Sequence, residues 1–360
     1  MADNKIYLAI GEEATRGTAE SSTVGFVPLI SPSIPKSEFD DKPRGEFRGD
    51  DSALGESTIL RMSQKWSASL ECPFFTEAGG TLKAAIADLI YHFMGGKASA
   101  QNGATGQYYH MIYPVTDPYS SGKALTLNYN VNEGAVVKNW PFVGGRVKAL
   151  SFDQEPGQAL KMTAELFGQK REASTASINN PVFAAENLRC DYNNLKVYTG
   201  SITRIGAAPD YTGFTFASAT QIKPDKVSIK VENGMEDALR LSGVDYPDKT
   251  RMGQFKVTME MTLDWEDPSS GFSSVAEFSD WVSSASSTNF FLHWDAGTQA
   301  GTGDNHGLYI DLPVMQRRGG EPQYKIDRDP MITLKYEGLF DPAGTGYLVG
   351  ILLKNTAASV

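Results

Sequence analysis

One strand pattern is written twice in this chain. Trp66-Ser67-Ala68-Ser69-Leu70-Glu71-Cys72-Pro73-Phe74 alternates apolar and polar residues, and Phe255-Lys256-Val257-Thr258-Met259-Glu260-Met261-Thr262-Leu263 repeats the alternation. Glu71 and Glu260 fall together on the opposite face. A period of two is that of a half-buried β-strand. An amphipathic helix is expected after each. The first stripe is Leu82, Ala85, Ile86, Leu89, Ile90 and Phe93; the second is Val275, Phe278 and Val282. A closing strand ends each half, Ala159 to Phe167 and Ile332 to Phe340. Three echoes in one order imply tandem duplication, and two copies of one unit can fill two equivalent places in a ring.

The 360 residues suffice for two domains, each with a core. Apolar content of 41% and charged content of 21% describe a globular chain. No apolar run reaches the length of a membrane span. Met1-Ala-Asp-Asn-Lys5 lacks the basic-then-apolar order of a secretory signal, so assembly in the cytosol is expected. The net charge of −10 argues against a protein that grips nucleic acid. The two cysteines, Cys72 and Cys190, form no disulfide framework and no zinc pattern.

Strands far outnumber helices along the chain. The expected fold is mainly β: two tandem antiparallel β-sandwich domains, each flanked by one helix, with extended N- and C-terminal arms. Residues 1–35 read as an arm, since Pro28, Pro32 and Pro35 break any helix. Residues 36–190 form the first domain, with a long polar loop at 36–58. Residues 171–215 read as a Ser/Ala/Asn-rich stretch with short strands, of which 191–215 is the connection between domains. Residues 216–345 form the second domain, with a polar loop at 232–250, and 346–360 a C-terminal strand or arm. Gly144-Gly145 and Pro156-Gly157 read as turns. Loops as long as 36–58 and 232–250 are usually functional or ordered by a partner.

Reactive constellations are weak. His92 is expected to serve the carbonyls at the end of the first helix. His293, Asp295, Asp304 and His306 bracket a Gly-rich loop and have residue types that could bind a metal, but no fixed spacing holds them. Ser120-Ser-Gly-Lys123 lacks the upstream glycine of a phosphate loop. Asp50-Asp51 lacks the alternating ligands of a calcium loop. No nucleophile elbow or His-Glu-x-x-His pair occurs. Neither catalysis nor a cofactor is expected.

The opening Ile10-Gly11-Glu12-Glu13-Ala14-Thr15-Arg16-Gly17-Thr18-Ala19 resembles the start of the tail tube proteins of long-tailed bacteriophages. The strand-helix-strand layout is similar to that family across essentially the whole chain. The resemblance implies a structural virion protein, assembled in the host cytoplasm, whose subunits form rings that stack into a hollow tube for DNA delivery. Two domains per chain then imply three chains per pseudo-sixfold ring, with a hexamer as runner-up. It also implies tape-measure, tail-terminator and distal tail proteins as partners, DNA as passing cargo, and no membrane insertion.

Under this reading the polar loops reach the adjacent ring. Phe26, Ile30, Ile34, Asp50, Asp51, Asp237, Asp245 and Tyr347 are the candidate interface residues. An acidic channel would repel phosphate over about 8–10 Å. Three other readings compete. The chain could be a carbohydrate-binding β-sandwich pair, an enzyme using the His293–His306 loop, or another ring-forming virion part such as a tail terminator.

Overall fold

The computed structural model describes residues 6–31, 34–43, 59–76, 85–102, 105–117, 123–134, 136–178, 181–284, 286–325 and 328–358. The first half contains β1 (Ile6–Glu13), β2 (Val24–Val27), β3 (Lys36–Pro43), β4 (Ile59–Pro73), α1 (Ala85–Met94), β5 (Gly95–Gln101), β6 (Tyr108–Pro114), β7 (Ala124–Asn132), β8 (Val137–Gln154) and β9 (Lys161–Gly168). Short β10 (Lys170–Arg171) and β11 (Thr175–Ala176) follow. Then come β12 (Leu195–Ala207), β13 (Asp210–Ile222), β14 (Lys226–Glu232), β15 (Glu236–Ala238), β16 (Lys249–Arg251), β17 (Lys256–Asp264) and α2 (Ser274–Ser283). The last strands are β18 (Ser287–Gln299), β19 (Asn305–Gly319), β20 (Pro322–Lys325), β21 (Arg328–Gly338) and β22 (Gly350–Asn355). The fold is mainly β and antiparallel throughout.

The hydrogen-bonded order β3-β4-β9-β8 in the first half recurs as β14-β17-β21-β19 in the second. β14 also pairs with β8, Val227 opposite Gln154 and Glu232 opposite Ala149, so the two runs form one continuous sheet. β4 and β17 align as the sequence pattern suggests, and Leu70, Cys72, Met259 and Met261 face a single core that spans both halves. The closing strands align by their ladders. Cys72 faces Met162 and Met261 faces Leu334, which makes Met162 the counterpart of Leu334.

Several expectations are corrected. Residues 6–27 are not a free arm, because β1 pairs with β2 and β7 within the chain. Of the strand or arm expected at the C-terminus, the strand forms: β22 lies between β19 and β6. Gly144-Gly145 is no chain reversal, since β8 runs through it. A Cβ at Gly145 would lie 2.7 Å from the Leu125 carbonyl and 3.0 Å from the Trp66 ring, so the glycine makes room for the tryptophan. The 191–215 connection is mostly a paired hairpin, β12–β13, whose Phe214 and Phe216 rings pack against Phe291. α2 begins with Ser273 accepting a hydrogen bond from the Ala276 amide, an N-cap. Leu82 lies outside the described residues, and Val282 of the second stripe is exposed.

Candidate functional site

The stretch from 232 to 250 decides how the halves relate. Asn233 turns the chain at the end of β14, donating to the Lys148 and Val147 carbonyls. The following residues lie over the end of β9 and β8. Asp237 meets Arg16 at 3.0 Å with both side chains about nine-tenths buried, and Thr250 donates to the same carboxylate. The Gln64 amide donates to the Asp245 carbonyl at 2.7 Å, and its side chain to the Asp245 carboxylate at 2.9 Å. Gln169 donates to the Pro247 carbonyl. Met235 is buried and helps line a 640 Å³ cleft with Trp66, Leu166, Phe167 and Gly168. The loop therefore packs on the first half of its own chain. Its counterpart, 36–58, is described only at its base, β3 and the start of β4.

The repeat makes the two places comparable. Asp41 pairs with Arg61, and Asp237 pairs with Thr250. Arg61 and Thr250 are equivalent once Trp66 is set on Phe255, so Asp41 stands where Asp237 stands. Among the described residues Asp41 meets Arg61, at 2.9 Å and in solvent. At the far end of the sheet, Phe255, Gly338, Leu339 and Phe340 line an 850 Å³ cleft. They are the counterparts of Trp66, Leu166, Phe167 and Gly168. Here Pro114 to Thr116 and Leu348 form the other wall, no counterpart of the 232–250 loop lies over them among the described residues, and Phe340 is 62% exposed. Ile34, at 58%, and Phe39, at 44%, are exposed at the opposite end.

The sequence-derived interface candidates divide accordingly. Ile30 and Ile34 are exposed at the β3 end. Phe26 is half-buried between the Tyr7 and Phe183 rings. Asp237 and Asp245 bind the first half, and Asp50 and Asp51 lie outside the described residues. Tyr347 does not reach the surface. It is fully buried and donates to Asp311 at 2.6 Å, and Arg204 holds the same carboxylate at 2.7 and 2.8 Å. Sequence reasoning passed over Arg16, Met235, Phe39, Leu339 and Phe340; the signal was available in the repeat, by asking which equivalent positions differ in cover.

The opening phrase is structural. Glu12 accepts from His92, 3.2 Å away, and from Lys123, and the His92 contact holds its carboxyl down at about 2. His92 thus serves Glu12 rather than the end of α1. Glu13 is buried; burial raises its pKa, while the Gly144 and Gly17 amides and the Thr126 hydroxyl donate to it and oppose the rise. This carboxylate pins the turn after β1 to β8.

The polar face of the continuous sheet is a lattice of ion pairs. Lys161 meets Glu71, Lys230 meets Glu165 and Glu232, and Lys335 meets Glu260, at 2.8 to 4.0 Å. The face carries both signs in register rather than carboxylates alone.

The metal candidates do not converge. The His293 ring stacks on Tyr309 at 4.1 Å, and burial depresses its pKa to about 4. Asp295 accepts from Gly297 and Asn305, and Asp304 lies 3.4 Å from Lys354. No group of three or more His, Cys, Asp or Glu suited to a metal exists among the described residues. Both cysteines are free and buried. No helix among the described residues is long and apolar enough to cross a membrane.

A mainly antiparallel β-protein whose strand order recurs and whose sheet face is tied up in ion pairs has the architecture of a structural rather than a site-bearing chain. The chain belongs to the phage tail tube protein family, which it matches over residues 3–338. It is accordingly a structural component of a phage tail, from a family that self-assembles rather than catalyses. No curated protein matches the chain.

Proposed function

We propose that three copies close into a ring with pseudo-sixfold symmetry, and that rings stack into the tail tube through which DNA leaves the virion. The observation that carries this is the sheet order, β3-β4-β9-β8 continued by β14-β17-β21-β19. One junction between repeats is made inside the chain at β8–β14. The two ends, β3 and the end of β19 with β20, pair only inward among the described residues. Open edges invite pairing, and ring closure removes them.

On this reading the halves are two tail-tube-like domains, near 36–190 and 216–345, and the ion-paired sheet face lines the channel. Its lysines already face carboxylates, so passing phosphate finds few unshared cations, and the net charge of −10 adds repulsion. Tape-measure, terminator and distal tail proteins are the further partners. Negative-stain electron microscopy of the concentrated protein tests the proposal. Hollow tubes with three- or sixfold end views support it. Dispersed particles at every concentration, with glycan affinity in a binding screen, overturn it.

A further inference from the structure

The covered junction inside the chain shows what the uncovered ends lack. We propose that the first hairpin of one copy does to a second copy what residues 232–250 do to the first half of their own chain. This rests on the ring reading and adds the register and the residues of the contact.

The register follows from ladders on the page. Lys36 pairs with Ser67, and Glu232 pairs with Lys256. Ser67 and Lys256 are equivalent, so Lys36 stands where Glu232 stands, and Ile34 where Lys230 stands. The amide of Ile30 donates to the Glu71 carbonyl, so the segment before β3 also lies beside β4, two residues out of the β3 register at that point. On the other side of the junction, Ser151 pairs with Thr163 and Gly319 pairs with Lys335. Thr163 and Lys335 are equivalent, so Gly319 stands where Ser151 stands. Within the chain Lys230 faces Ser151. Between chains Ile34 of one copy therefore faces Gly319 of the next.

β8 and β19 are both irregular near this edge, at places two residues apart along the closing strand. Each carries one register shift against its closing strand, between Val147 and Ala149 and between Arg317 and Gly319. β20 then continues the line of β19, with Pro322 opposite Ile332. The receiving edge is thus a line of β19 and β20 beside its closing strand, as β8 lies beside β9 where it receives β14.

The side chains agree with the backbone. Met235 is buried on the wall of the internal junction beside Phe167 and Gly168, and the same step along the repeat reaches Phe39. Phe39 is exposed in the single chain, held only under the Arg61 guanidinium at 4.1 Å. Its counterpart site, beside Leu339 and Phe340, is an open apolar cleft. A second copy thus brings an exposed aromatic ring to an uncovered apolar cleft at the position where its own repeat has a buried methionine.

Two experiments test this. The first is the double variant Ile34→Cys with Gly319→Cys, treated with a short thiol cross-linker. An added Cβ at Gly319 meets nothing within 4 Å, Ile34 is exposed, and Cys72 and Cys190 are buried. Chains joined through both positions, up to a closed three-chain species absent from either single variant, are expected. Rings without the link overturn this register and leave the ring reading standing. Absence of rings in the unmodified protein overturns both.

The second is Phe39→Glu and Phe340→Lys, singly and together. Both sites are exposed, so the fold and melting temperature should hold. Each single variant should raise the concentration needed for assembly about tenfold or more. The pair should recover part of that loss, because the charges meet. Unchanged assembly in both single variants, or no recovery in the pair, overturns the contact.

Discussion

Asp237 and Asp41 occupy the same place in the repeat and live in different surroundings. Asp237 is buried against Arg16 and holds a loop on the first half. Asp41 meets Arg61 in open solvent. The same contrast runs through the pairs Met235 and Phe39, and Gly168 and Phe340. The first member of each is covered within the chain, and the second waits at an end of the sheet. On the proposed assembly, equivalent positions differ where one contact is internal and the other external, so the differences point to the surface that a second copy would meet.

The largest expected effect sharpens that contrast in the core. Trp66 is fully buried, donates to the Val143 carbonyl at 2.9 Å and fits against Gly145 and Gly168. Trp66→Ala should cost about 3–5 kcal/mol in denaturant unfolding. Phe255→Ala, at the half-buried counterpart beside the open cleft, should cost clearly less. Equal losses would show that the two junctions are covered alike.

Asp237→Ala comes next. It leaves Arg16 without its carboxylate at a nearly buried site, at a cost on the order of 2–4 kcal/mol. Hydrogen exchange should accelerate over 235–250 and little elsewhere. Asp41→Ala, at the exposed counterpart, should leave the melting temperature of the free chain unchanged. An Asp41→Ala loss as large as that of Asp237→Ala would break the comparison.

A smaller effect appears in acid. Glu12 has its pKa lowered from the usual 4.5 to about 2 by His92 and Lys123. The stability it contributes is complete above the unfolded value and is lost as pH falls from about 4.5 toward 2. His293, depressed to about 4 by burial, adds a loss that begins nearer its unfolded value of 6.5. Glu12→Gln should flatten the lower part of the acid unfolding curve and leave the upper part in place. An unaltered curve would remove Glu12 from the account.

Much of the fold was legible in the sequence because β4 and β17 have one wet and one dry face, which period two reports directly. The glycine pair 144–145 misled because the same residue serves turns and close packing, and only the Trp66 ring decides between them. The β12–β13 hairpin was read as short strands in a connection because its polar strand residues hide the aromatic rings that pack on Phe291. The C-terminal strand is legible as a strand or arm, but chain position says nothing about its insertion between β19 and β6 or about the burial of Tyr347. The residues of the proposed assembly surface are half legible. Ile30 and Ile34 stood out as apolar residues in a proline-broken segment, whereas Phe39 and Phe340 gain meaning only beside their covered counterparts.

The most direct test of the central claim is cryo-electron microscopy of the assembled protein, counting chains per ring. Three chains per ring, with alternating covered and newly formed junctions around a six-unit barrel, are expected. Six chains per ring, or rings in which β3 and the end of β19 remain unpaired, would contradict the account.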